Sequence, residues 1–108
     1  MKRLSSEYVG YVISEGTLRI EDLLKSNLGF LKDVAGECEI ETEVEGLAGE
    51  VGAVLNEEGE IVEDSLEEVV ILNESAYDLI QSIAPEGCSF ESHPGDGACF
   101  GFWKTQPE

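Results

Sequence analysis

The chain has 108 residues and a mass of 11.7 kDa, and 42% of it is apolar, enough for one domain (1–108) with a single modest core. Against 24 acids stand only 6 bases, for a net charge of −18. That balance excludes direct nucleic-acid binding by phosphate neutralisation and disfavours docking on an anionic membrane.

The charge is unevenly placed. Residues 1–36 hold five acids and five bases, whereas 37–108 hold nineteen acids and the single base Lys104. The stretch 37–68 has thirteen acids and no base. An evenly acidified, salt-adapted surface predicts acids throughout, which a neutral first third does not match. Met1–Gly10 has two basic residues but no apolar stretch behind them, unlike a secretory signal. The longest apolar run, Val69-Val70-Ile71-Leu72, is far too short to span a membrane. Cys38, Cys88 and Cys99 are odd in number and lack metal-site spacing, which suits reduced thiols. A soluble, cytoplasmic protein is expected.

In chain order, Glu7–Ser14 is rich in aromatic and β-branched residues and predicts a strand, followed by a turn at Ser14-Glu15-Gly16. Leu24, Leu28, Leu31 and Val34 recur at helical spacing, so a helix is expected from near Leu18–Glu21 until Gly36 ends it. Glu37 to Glu45 then alternate strictly between acid and non-acid. A strand there places Cys38, Ile40, Thr42 and Val44 on one face and Glu37, Glu39, Glu41, Glu43 and Glu45 on the other. For 46–64 the signals conflict. Leu47, Val51, Val54 and Leu55 fit a helix face, but Gly46, Gly49 and Gly52 oppose one, which favours strand and turn, with Asn56-Glu57-Glu58-Gly59 as the turn.

Ser65-Leu66-Glu67-Glu68 has the form of a capping box. A helix starts there, or else Val69–Leu72 is a strand and the helix follows Asn73. Either way Ser75–Ala84 is helical and Pro85-Glu86-Gly87 stops it. Cys88–His93 and Ala98–Lys104 flank Pro94-Gly95-Asp96-Gly97 and read as a hairpin. Symmetric pairing sets Phe90 opposite Gly101 and Trp103 opposite Cys88, burying Phe90 with Trp103 and turning Phe100 and Phe102 the other way. These four aromatic residues are expected to be structural, and a last strand apolar on both faces belongs inside the sheet. The expected class is α+β: a small, mostly antiparallel sheet with two or three helices packed on it and a C-terminal β-hairpin.

The segments Ile13-Ser14-Glu15-Gly16-Thr17-Leu18-Arg19 with Glu21-Asp22-Leu23, Ala84-Pro85-Glu86-Gly87, and His93-Pro94-Gly95-Asp96-Gly97-Ala98 through Phe100-Gly101-Phe102-Trp103 resemble small uncharacterised proteins carried by bacteriophages and plasmids. The resemblance spans roughly 40 residues at the two ends, and implies a setting in mobile-element biology, including the countering of host defence. It brings no activity with it and does not reach 37–68.

His93, Asp96 and Cys99 invite a catalytic reading, but a Pro-Gly turn explains their spacing. The glycines beside them lack the lysine and helix of a phosphate loop. Neither zinc nor calcium spacing occurs, so no cofactor and no enzyme activity are expected. The acids remain. The alternating glutamates, with Glu57, Glu58, Glu60, Glu63 and Asp64, form a field suited to a basic, nucleic-acid-binding host protein, displacing its DNA or RNA. An inhibitor of the anti-CRISPR or anti-restriction type is the concrete expectation; the alternative is a small accessory domain whose acidity serves solubility or salt adaptation.

Overall fold

The computed structural model describes residues 1–104. A 3-10 turn at Ser6–Tyr8 precedes β1 (Val12–Ser14), then come α1 (Ile20–Cys38), α2 (Glu41–Val54), α3 (Leu66–Ser82), β2 (Cys88–His93) and β3 (Asp96–Lys104). The sheet is antiparallel in the order β1-β3-β2, with the hairpin's last strand in the middle. The α+β class, the C-terminal hairpin and the central place of the last strand are as the sequence predicts. The amino-terminal strand is shorter than expected, because the backbone turns at Ser6–Tyr8 and again at Gly10.

α1 forms because Leu24, Leu28, Leu31, Val34 and Cys38 fall on one stripe and are all buried. Glu21 and Asp22 sit in its first turn, where negative charge suits the helix dipole. The Arg19 guanidinium pairs with both, at 2.6 Å and 3.8 Å. Gly36 does not end this helix. The chain turns three residues later, where Glu39 adopts a left-handed conformation at φ 60°. The Ile40 N–H then donates to the Ala35 carbonyl (2.9 Å) and the Glu39 N–H to the Gly36 carbonyl (3.3 Å), closing off the last turn.

The predicted strand over 37–45 does not exist. Glu37 and Cys38 finish α1, Glu39 makes the turn, Ile40 caps the next helix, and Glu41–Glu45 open α2. The buried residues Val44, Leu47, Val51 and Val54 have helical, not alternating, spacing. α2 runs through Gly46, Gly49 and Gly52, and a side chain at any of them would meet open space. The turn expected at Asn56–Gly59 is present: the Asn56 side-chain oxygen accepts from the Glu58 and Glu60 N–H groups, each at 2.9 Å, and Leu55 pairs with Ile61 across it.

α3 spans the whole of Leu66–Ser82, so Val69–Leu72 is helix and not strand. Ser65 stands at its cap, yet the capping-box bond is not made; the Ser65 hydroxyl instead donates to the Glu63 carbonyl at 3.5 Å. α1 and α3 are joined across their packed faces by the Asn27 amide, which donates to the Asn73 side-chain oxygen at 3.0 Å.

The hairpin register differs from the symmetric one by a single residue. Phe90 pairs with Phe102, Glu91 with Gly101 and Ser89 with Trp103, and a bulge after Ser92 absorbs the difference. One step of register exchanges the faces of a strand. Phe102 therefore shares the core face with Phe90, their ring centroids 5.8 Å apart, while Trp103 lies half-buried on the outer face. There its indole N–H donates to the Glu91 carbonyl at 2.8 Å and its ring meets His93 edge-on.

β2 is an edge strand, and α3 covers its exposed edge. The Gln81 amide accepts from the Phe90 N–H (2.9 Å) and donates to the Phe90 carbonyl (3.0 Å), and the Tyr77 hydroxyl donates to that same carbonyl. Gln81→Ala should leave the Phe90 N–H without its partner, while the Phe90 carbonyl keeps the Tyr77 hydroxyl. A loss of about 1–3 kcal/mol in urea unfolding is expected.

Candidate functional site: the acidic helical surface

Every acid singled out from the sequence is exposed: Glu37, Glu39, Glu41, Glu43, Glu45, Glu57, Glu58, Glu60, Glu63 and Asp64. They do not make a ladder. Glu37 lies in the last turn of α1 and Glu39 in the sharp turn after it. On α2, Glu41 and Glu45 stand one helical turn apart on one edge, whereas Glu43 lines up with Glu50 along the side that faces α3. Glu57, Glu58 and Glu60 surround the Asn56–Gly59 turn, and Glu63 and Asp64 lead into α3. The single strand face expected to carry the five alternating glutamates is therefore absent, replaced by acids around the helix ends.

Physical chemistry divides these acids into two kinds. Glu41 and Glu43, like Glu67 and Glu68 on α3, sit in first turns, where the helix dipole welcomes a negative charge. Glu37 is at the wrong end of its helix for that benefit. Among the described residues Glu39 and Asp64 are the two non-glycine residues with positive φ, at 60° and 63°. A side chain in that conformation costs roughly 1 kcal/mol where glycine does not. Folding gives no reason for an acid at 37 or 39, whereas Asp is among the few side chains that tolerate the left-handed conformation at 64, just ahead of α3.

Charge compensation is nearly absent across 37–68. Among the described residues the one base within ion-pair reach of these acids is Lys2, 4.0 Å from Glu39. The charge is felt locally: burial first, then Glu37, holds the Tyr8 phenol above its ordinary pKa, and the same two causes raise that of the Cys38 thiol.

The other constellation is spoken for by the turn it sits in. The His93 Nδ1 accepts from the Gly95 N–H at 2.9 Å, and the Asp96 carboxylate accepts from the Ala98 N–H at 3.0 Å. Cys99 is buried, and desolvation, with Glu15 and Asp96 nearby, pushes its thiol up, away from the thiolate a nucleophile needs. Among the described residues no group of three or more His, Cys, Asp or Glu side chains is placed to hold a metal ion. Among them too, no helix is long and apolar enough to cross a membrane.

What sequence reasoning missed is the groove between α2 and α3. Its wide end, about 580 Å³, lies between Glu43, Gly46 and Glu50 on α2 and Ser75, Asp78 and Leu79 on α3. Its narrower, more apolar end runs on between Ala53 and Ile71. Helical spacing of Glu43 with Glu50 was the available signal, and the alternation of 37–45 hid it. Compared with known proteins, the chain matches no family model, no curated protein and no solved structure at a significant level.

Proposed function

We propose that this is a non-enzymatic acidic protein of phage or mobile-element type that binds a basic, nucleic-acid-handling protein in the cytoplasm of a bacterial host. It inhibits that protein by competing with its DNA or RNA, as an anti-CRISPR or anti-restriction factor would. The observation that carries the reading is the group of exposed and almost wholly unpaired acids of 37–68, Glu37 and Glu39 foremost, since neither helps the fold where it stands and, among the described residues, the one ion pair these acids make is the 4.0 Å contact of Glu39 with Lys2. Surface strain of this kind is retained where another requirement outweighs stability. The segments resembling mobile-element proteins support the setting: 13–23 and 84–103 meet in one unit, β1 against β3, and leave the acidic helices as a separate face.

The test sets binding against stability. Changing Glu37, Glu39, Glu41, Glu43 and Glu45 together to Gln should leave the melting temperature about unchanged, because relief of like-charge repulsion offsets the helix-dipole stabilisation lost at Glu41 and Glu43. Glu39→Gly alone should stabilise by up to about 1 kcal/mol, since glycine suits the left-handed turn. Both variants should bind less of the partner captured from bacterial lysate at low salt, and displace less labelled DNA from it. Wild-type binding should weaken steeply between about 50 and 500 mM salt. If acidity served salt adaptation, wild type would need salt to fold; if it served either salt adaptation or solubility alone, the variants would capture the same proteins as wild type.

A further inference from the structure

We infer that the groove between α2 and α3 is the seat of a basic, amphipathic α-helix contributed by the partner protein. The inference rests on the reading above for the partner's positive charge, and adds where and in what form the partner engages.

The two helices run antiparallel, since the start of α2 lies beside the end of α3, and Glu50 borders both the wide and the narrow ends of the groove. The two hollows thus adjoin at Glu50 and follow one another along α2, whose 14 residues extend about 21 Å. That length accommodates a four-turn helix. The floor is apolar, formed by Leu47, Val54 and Leu72, while Ile71 projects over it with 58% of its surface exposed. On the α2 wall Gly46 and Ala53 leave room for close approach of another backbone. An apolar floor between two helical walls is the geometry that receives one stripe of an amphipathic helix at i, i+3, i+4 and i+7 spacing.

Charge selects the occupant. Glu43, Glu50, Glu68 and Asp78 line the groove, and none of them is within ion-pair distance of a base among the described residues. A second copy of this chain would bring its own acids against them, so self-association through this face is opposed. Lys and Arg flanking an apolar stripe complement it.

A synthetic peptide of about 18 residues tests this, long enough to match the groove. It carries Leu at i, i+3, i+4 and i+7 with Lys and Arg on either side, and its control has the same composition with the leucines scrambled. Fluorescence anisotropy with the intact protein should show the amphipathic peptide binding at least about tenfold tighter than the control. Ile71→Ser should weaken it by about tenfold; because Ile71 is exposed, the variant should keep its circular dichroism. Glu50→Gln with Glu68→Gln should weaken it further. Equal binding of the scrambled peptide, or wild-type affinity in these variants, would overturn the inference. So would a wild-type dimer in sedimentation that Ile71→Ser dissociates, since the groove would then belong to a second copy. The two readings separate on a captured partner with Glu37, Glu39, Glu41 and Glu45 changed to Gln and the groove's Glu43 kept: loss with that variant but retention with Ile71→Ser removes the groove and leaves the acidic surface standing. Loss with Ile71→Ser alone does the reverse.

Discussion

Phe102→Ala should cost about 3–5 kcal/mol in urea or thermal unfolding, and Trp103→Ala next to it only about 1 kcal/mol. Phe102 has no exposed surface, and its ring lies between those of Phe30 on α1 and Phe90 on β2, at centroid distances of 5.7 Å and 5.8 Å. Truncating it opens a cavity where the sheet meets the helices, ringed by aromatic side chains too rigid to collapse into it. Trp103, although larger, is half-buried on the outer face, and loses one exposed hydrogen bond and the edge contact with His93. The two substitutions therefore report the register. A symmetric hairpin would have reversed them, and equal or inverted costs would restore that pairing.

The hairpin and the second half of α3 were legible from the sequence because their signals are local, whereas Val69–Leu72 was open between helix and strand. Pro85 stops a helix wherever it stands, and Pro94-Gly95 makes a turn whatever surrounds it. The one-residue slip was not legible, because the bulge after Ser92 leaves no mark in composition. The larger miss, 37–45, has a different origin. Cys38 and Ile40 are both buried, but they belong to two helices joined by a left-handed turn at Glu39, so an alternation of period 2 arose from a junction. A glycine at 39 would have announced that turn. Composition leaned the other way, for Glu favours helix and is depleted in strands. The pairing of Gln81 with Phe90 could not be foreseen either, since it answers the need of an edge strand 9 residues away.

The candidate site was legible as composition and not as shape. Thirteen acids without a base mark residues 37–68 in any conformation. Their arrangement depends on whether each residue rotates the side-chain direction by about 100°, as in a helix, or 180°, as in a strand. With helices in place, the acids sort by their relation to helix ends. Those in first turns have a folding role, and those at 37 and 39 do not. The distinction ranks the residues for mutagenesis, which net charge alone does not.

Gly101→Ala should be the most damaging single methyl addition to this chain, at about 3 kcal/mol, the upper end of ordinary overpacking. A Cβ at Gly101 would overlap the Tyr11 carbonyl oxygen and crowd the Val12 Cα at 3.1 Å, and both are backbone, so no rotamer change relieves it. β1 has only three residues and is the easiest element to displace. Its detachment would break the bonds from the Gly10 N–H to the Phe102 carbonyl (2.8 Å) and from the Phe102 N–H to the Tyr11 carbonyl (3.1 Å). Hydrogen exchange should accordingly show lost protection at Gly10 and Phe102, with the amides of α2 and α3 still protected. Gly49→Ala supplies the opposite sign. Its methyl meets open space on a helix, where alanine is favoured over glycine by about 1 kcal/mol, so the same chemical change should stabilise. Because β1 and the α2–α3 face are separate parts of the molecule, Gly101→Ala should lower the melting temperature yet leave partner capture intact below it. Loss of capture in a Gly101→Ala protein still folded at the assay temperature would place the binding surface on the sheet instead of the helices.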